Sequence, residues 1–198
     1  MQVKICGLSR PADIEAVNAA RPDYCGFVVD FPKSHRSVSP ETLRNLRRGL
    51  DAGILPVGVF VDVPPENIAA LLNDGTLSVA QLHGHEDEAD LAALRSLTDR
   101  PIWQAFRIRT PEDVHRANAS TADLVLLDAG QGTGQAFDWA LLSGITRPFA
   151  LAGGLNPENI PAAMQTGAIL LDVSSGAETD RKKDPQKIQT IVRMIQGD

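Results

Sequence analysis

Val3-Lys4-Ile5-Cys6-Gly7-Leu8 is a short apolar, β-branched run that ends in a thiol and a turn glycine. Ser9-Arg10-Pro11 follows, then the helical pattern Ala12-Asp13-Ile14-Glu15-Ala16-Val17-Asn18-Ala19-Ala20. The order is strand, tight turn, helix, with Cys6 at the carboxyl end of the strand. In parallel α/β folds that end is where ligands sit and catalytic side chains project.

The same unit recurs along the whole chain. Strand cores are expected at Val3–Cys6, Tyr24–Val29, Leu55–Val61, Val79–Leu82, Ile102–Phe106, Leu124–Leu127, Pro148–Ala152 and Ile169–Val173. Their starts lie 21 to 31 residues apart, the length of one strand plus one helix. Such alternation implies a parallel sheet with right-handed crossovers. Helices are expected after Ser39-Pro40, from Pro65, over Glu86 to Leu97, after Thr110-Pro111, after Asn156-Pro157 and over Asp184 to Ile195. Several open with a capping side chain followed by proline at the first helical position. In the last helix Ile188, Ile191, Val192 and Ile195 share one face. The helix after the sixth strand, near Phe137–Leu142, reads as short, behind a glycine-rich loop at Gly130–Gly134.

Eight units in one chain predict an α/β fold, a small (β/α)8 TIM barrel forming one domain over residues 1–198. A doubly wound open sheet is the rival. It seldom repeats eight even units, and the first strand–helix turn here lacks GxGxxG.

Bulk properties narrow the function classes. Hydrophobic content of 43% and charged content of 22% are those of a globular chain. A net charge of −6 argues against nucleic-acid and anionic-membrane partners, and leaves room for a small-molecule substrate held by a few local groups. No apolar run approaches the ~20 residues of a membrane span. The first residues show no export signal. The two cysteines have no CxxC spacing, so neither a disulfide framework nor a zinc site is expected and a reducing cytoplasm is the default.

Candidate chemistry gathers at the carboxyl ends of the strands. Cys6 is either a small buried hydrophobe or a functional thiol; Cys25, inside the second strand, reads as structural. Lys4 lies two residues before Cys6 and shares its face of the strand. Asp128 ends Leu124-Val125-Leu126-Leu127 and is either a loop-start hydrogen bonder or an acid–base group. Ala152-Gly153-Gly154 follows the seventh strand and Ser174-Ser175-Gly176 the eighth, where Ala177-Glu178 is expected to begin a short extra helix. Alone, each is an ordinary turn. Together they occupy the recurrent phosphate site of these barrels. Arg36, in the loop after strand two, suits bidentate pairing with a carboxylate or phosphate. His83 and Arg107 end strands four and five as pocket-lining candidates. His35, His85 and His115 share no metal-ligand spacing, so no metal is expected.

These stretches together resemble the phosphoribosylanthranilate isomerase family. The resemblance is carried by Val3–Gly7, Gly26-Phe27-Val28, Ser34–Pro40, Gly58–Val61, Val79–Gly84, Leu127-Asp128, Gly132-Thr133-Gly134 with Phe137-Asp138-Trp139, Leu151–Leu155, Asp172–Glu178, and Lys183-Asp184-Pro185 with Lys187-Ile188. It spans essentially the whole chain, in order. It implies an Amadori rearrangement of N-(5-phosphoribosyl)anthranilate by general acid–base catalysis, without a cofactor. By the same resemblance Cys6 is the general base, Asp128 the general acid and Arg36 the holder of the anthranilate carboxylate. Gly154, Ser174, Ser175 and Gly176 match the phosphate loops. Lys4, His83 and Gly153 complete the expected substrate-binding set. Gln135, where many relatives have lysine, and the compact Ala129-Gly130-Gln131 depart from the pattern. A monomer or weak homodimer is expected. Two other readings stay open: a different sugar-phosphate enzyme on the same barrel, and a non-catalytic binding module. The histidine-pathway sugar isomerase carries an aspartate on strand one, so Cys6 argues against it.

Overall fold

A computed structural model describes residues 1–128 and 139–197. Eight parallel strands close into a barrel: β1 Gln2–Cys6, β2 Tyr24–Val29, β3 Leu55–Phe60, β4 Val79–Leu82, β5 Ile102–Arg107, β6 Leu124–Asp128, β7 Phe149–Ala152 and β8 Leu170–Val173. Each strand pairs with its neighbours in chain order. β1 closes the ring against both β2 and β8, with Lys4 beside Tyr24 on one side and Asp172 on the other. All eight expected strands are present, with ends shifted by no more than a residue or so.

Alternation along each strand builds two cores. One set of side chains points outward and meets the helices; Ile5, Phe27, Val125, Leu127, Leu151 and Leu171 belong to it. The other fills the barrel: Val57, Val79, Trp103, Leu124, Leu126, Ala150, Ala152 and Leu170, with Tyr24 and Ala105 packed against them. Tyr24 and Trp103 meet edge to face at 5.0 Å. Strands buried on both faces explain the near-continuous apolar runs in the sequence.

The helices are α1 Pro11–Ala20, α2 Pro40–Arg47, α3 Pro65–Asn73, α4 Glu88–Arg95, α5 Pro111–Ala119, α6 Ile160–Ala163 and α7 Pro185–Gln196. Their starts are set by local chemistry. Ser39, Thr110 and Asp184 each accept a hydrogen bond from a first-turn backbone N–H, and proline follows each at the first helical position. The apolar face of α7 is buried at all four expected positions.

Three expectations are corrected. Asn156 does cap a turn, accepting from the amides of Glu158 and Asn159, but regular helix begins only at Ile160 and lasts four residues. After β8 a 3-10 turn occupies Ser175–Ala177, and Glu178 starts a two-residue strand paired with Lys182–Lys183 rather than a helix. The segment after β6 forms a 3-10 turn at Trp139–Gly144. Gly130–Gly134, the Ala129-Gly130-Gln131 loop, Gln135 and Phe137-Asp138 lie outside the described residues. Among the described residues no helix is long and apolar enough to cross a membrane.

Candidate active site

A cavity of about 360 Å³ opens at the carboxyl ends of the strands. Cys6, Arg36, His83, Asp128, Gly153, Gly154, Ser174 and Ser175 line it, all of them singled out in the sequence. Gln81 and Asp172 line it too. The apolar part of its wall comes from Val28, Phe31, Val59, Val61 and Ala152.

Lys4 does not reach the cavity wall. It is fully buried beneath Cys6, and its Nζ donates to Asp172 Oδ2 at 2.8 Å. Room for this pair comes from Gly26, the register partner of Cys6. A Cβ on Gly26 would lie 2.7 Å from Cys6 Sγ and 3.0 Å from Lys4 Nζ. Burial works against charge on Lys4, but the Asp172 carboxylate beside it helps hold the ammonium above its usual range. Burial also pushes the Cys6 thiol up, and the Lys4 ammonium offsets this only in part. Burial thus favours the thiol form of Cys6, and the Lys4 ammonium beneath it favours the ionised form. Cys25 is fully buried among apolar neighbours, and that burial pushes its thiol far up. It is structural, as expected.

The Asp128 side of the cavity is organised by a short chain of polar groups. Gln81 Nε2 donates to His83 Nδ1 at 3.1 Å, which places the ring proton on Nε2. That nitrogen stands 3.3 Å from Asp128 Oδ2. Two buried acceptors at the cavity floor, Gln81 Oε1 and Asp172 Oδ1, have no partner among the described residues. Buried oxygens of this kind call for a donor.

The rim carries a glycine-serine part and a cationic part. On one side, Gly153 and Gly154 take φ of 93° and 67°, a left-handed backbone that glycine tolerates without strain. Gly176 does not line the cavity. It is pressed against the β7 loop, where a Cβ would lie 1.9 Å from the Leu155 carbonyl oxygen, so glycine lets the loops after β7 and β8 touch. Ser174 Oγ donates to the Cys6 carbonyl at 3.1 Å and ties this end to β1. On the other side, Arg36 passes over Gly7, where a Cβ would collide with Arg36 Cδ at 2.3 Å. Its Nε and Nη2 donate to Glu178 Oε1 and Oε2 at 2.6 and 2.7 Å, leaving the Nη1–Nη2 edge unclaimed by Glu178. Lys183 Nζ adds a third bond to Glu178 at 2.7 Å. Burial favours the protonated Glu178 carboxyl, but the hydrogen bonds from Arg36 and Lys183 outweigh it and hold the group down at about 2.

Sequence reasoning brought Cys6, Asp128, Arg36, His83 and the two loops to one cavity. Arg107 ends β5 outside it, lining a neighbouring opening with His83. The sequence alone suggested no role for Gln81, Asp172, Glu178 or Lys183. For Asp172 a signal exists: a charge inside the apolar run Leu170–Val173 must find a partner, and Lys4 inside Val3–Cys6 is the matching anomaly. His85 is exposed against Asp62, and His35 Nε2 lies 4.0 Å from Glu178.

Comparison with known proteins agrees with this geometry. The family model described as N-(5'-phosphoribosyl)anthranilate (PRA) isomerase matches residues 3–194. The N-(5'-phosphoribosyl)anthranilate isomerase of Endomicrobium trichonymphae is 39% identical over 202 residues, covering 99% of this chain and 98% of its own. The crystal structure of phosphoribosyl anthranilate isomerase from Thermotoga maritima superposes with a TM-score of 0.88 at 32% identity, covering 100% and 99% of the two chains. A phosphoribosyl anthranilate isomerase in complex with reduced 1-(o-carboxyphenylamino)-1-deoxyribulose 5-phosphate superposes at 0.85, also at 32% identity and with the same coverage. By sequence along its whole length and by fold, this chain belongs to the N-(5'-phosphoribosyl)anthranilate isomerase family.

Proposed function

We propose that Cys6 and Asp128 are the base and the acid with which this chain carries out its family's reaction. That reaction isomerises N-(5'-phosphoribosyl)anthranilate to 1-(2-carboxyphenylamino)-1-deoxyribulose 5-phosphate in tryptophan biosynthesis. One observation carries the assignment of roles. A thiol and a carboxyl from strands β1 and β6 line one cavity whose rim has a cationic end at Arg36 and a glycine-serine end at Gly153, Gly154, Ser174 and Ser175. The substrate has a carboxylate at one end and a phosphate at the other, so it spans this rim with its sugar over the acid and the base.

The chemistry follows from the groups present. Asp128 gives a proton to the furanose oxygen, the ring opens, and the anilino nitrogen becomes an iminium. The iminium acidifies the proton on C2. Cys6, ionised against Lys4, removes it and leaves an enolamine that tautomerises to the ketone. His83, fixed by Gln81, directs its Nε2 proton at Asp128 and stabilises the carboxylate left after proton transfer.

Closure of the sheet between β1 and β8 supports one catalytic domain over residues 1–198. Two unpaired cysteines fit a cytoplasmic setting. Among the described residues the large exposed apolar side chains are Met1, Leu55, Leu97 and Ile169, a small set that fits a monomer or weak homodimer better than an obligate assembly.

Arg36→Ala tests the two-ended placement. Loss of a charge-assisted pair is expected to raise KM for phosphoribosylanthranilate by about 10- to 100-fold. Inhibition by ribose 5-phosphate, which has only the phosphate end, is expected to stay unchanged. Equal weakening of both ligands would contradict the placement.

A further inference from the structure

The hairpin after β8 carries two buried charges that the acid–base steps do not use. Glu178 and Lys183 are register partners across it. Lys183 has its side chain 1% exposed, so its ammonium must find acceptors inside the protein. It finds two. Nζ donates to Glu178 Oε1 at 2.7 Å and to the Ser174 carbonyl at 3.0 Å. Glu178 holds Arg36 through both carboxylate oxygens. Ser174 begins the serine loop that lines the same cavity and is itself bonded to the Cys6 carbonyl. One buried ammonium thus ties the Arg36 arm to the serine loop. The 3-10 turn Ser175–Ala177, with the Ala177 N–H bonded to the Ser174 carbonyl at 3.1 Å, links the same loop to Glu178 through the backbone, and Lys183 braces that link from the side-chain side.

We infer that Lys183 is a positioning residue, a strut that fixes the spacing between Arg36 and the Ser174 loop. The inference rests on Arg36 and the serine loop receiving the two ends of the substrate, as proposed. A substrate anionic at both ends gains full affinity only where the two receptors already stand at its own length, because ordering them after contact subtracts from binding. Within the cluster two cations share one carboxylate. The surplus positive charge keeps the open edge of Arg36 receptive to an anion.

The test compares a one-ended and a two-ended ligand. Inhibition constants are measured for ribose 5-phosphate and for reduced 1-(o-carboxyphenylamino)-1-deoxyribulose 5-phosphate in the wild type and in Arg36→Ala, Glu178→Gln and Lys183→Met. Lys183→Met is expected to weaken the two-ended ligand by about 100-fold and ribose 5-phosphate by several-fold, since both ends lose their anchor. Glu178→Gln is expected to weaken only the two-ended ligand. In both variants KM carries the loss and kcat at saturation changes far less, because neither residue touches the reacting carbons. The double variant Glu178→Gln/Lys183→Met removes the buried charges together. It decides the matter if Lys183→Met alone does not fold, with the same loss at both ends expected. Unchanged affinity for both ligands in a folded Lys183 variant, with the two-ended ligand weakened in Arg36→Ala, would overturn the strut alone. An unchanged two-ended ligand in Arg36→Ala would overturn the reading of Arg36 and the strut with it.

Discussion

The apolar filling of the barrel and the polar layer at its carboxyl ends come from the same strands and obey opposite rules. In the filling, Trp103, Leu124, Leu126 and Leu170 pack against one another and need no partner beyond contact. In the polar layer buried charges and amides are held in pairs. Lys4 is matched by Asp172 and Gln81 by His83, while Asp172 Oδ1 and Gln81 Oε1 are buried with no partner among the described residues. Stability resides in the first region, and chemistry in the second. Lys4 and Asp172 belong to both, because they place charge directly below the Cys6 thiol.

The contrast is sharpest at the acid. Asp128→Asn keeps the shape of the side chain and removes the proton donor. A fall in kcat of about 10³-fold or more is expected, with a melting temperature within a few degrees of the wild type. Steady-state kinetics beside a thermal melt would show it. Turnover within tenfold of the wild type would remove Asp128 from the acid role.

The next effect lies at the boundary. Lys4→Met leaves Asp172 charged and buried without its partner, which should cost about 3–5 kcal/mol in stability. Lys4→Met/Asp172→Leu removes both charges and should recover most of that loss. It should still be slow, because Cys6 loses the cation that favours its thiolate. Burial already raises Cys6, so wild-type kcat/KM is expected to climb with pH above neutrality. In the double variant that limb moves further alkaline. Urea titration and a pH profile separate the two effects.

In the apolar filling, Leu126→Ala should destabilise by about 2–5 kcal/mol while leaving kcat in the folded enzyme nearly unchanged. A large loss of kcat at low temperature would mean that packing and chemistry are coupled across the two regions. Glu178 gives a smaller, pH-dependent signal. Its carboxyl sits at about 2, below the unfolded value of about 4.3, so its contribution is full above that value and is lost as pH falls towards 2. Glu178→Gln should flatten that part of the acid limb of the stability curve. Smallest of all, Ser39→Ala removes one helix cap on the outer layer and should cost about 1 kcal/mol with no effect on catalysis.

The fold was legible because its signals are local. Eight apolar runs, the capping residues Ser39, Thr110 and Asp184, and the periodic face of α7 are each contained in a dozen residues. The site was legible where it depends on strand ends, since Cys6, His83 and Asp128 need only the strand boundaries to be placed. What escaped depends on closure. Lys4 meets Asp172 across 168 residues and Arg36 meets Glu178 across 142, and no periodicity encodes either pairing. The short helix expected at Ala177-Glu178 failed for a related reason. Glu178 is drawn into the hairpin by Arg36 and Lys183, contacts that local propensity does not register.

The base role of Cys6 is open to a direct kinetic test, the turnover of phosphoribosylanthranilate. The substrate is generated in place from anthranilate and phosphoribosyl pyrophosphate, and the loss of its fluorescence is read for the wild type and Cys6→Ala side by side. Rapid loss is expected with the wild type, and loss no faster than buffer with a folded Cys6→Ala. Turnover by folded Cys6→Ala at a rate near that of the wild type would contradict the assignment, and would mean that another group removes the C2 proton.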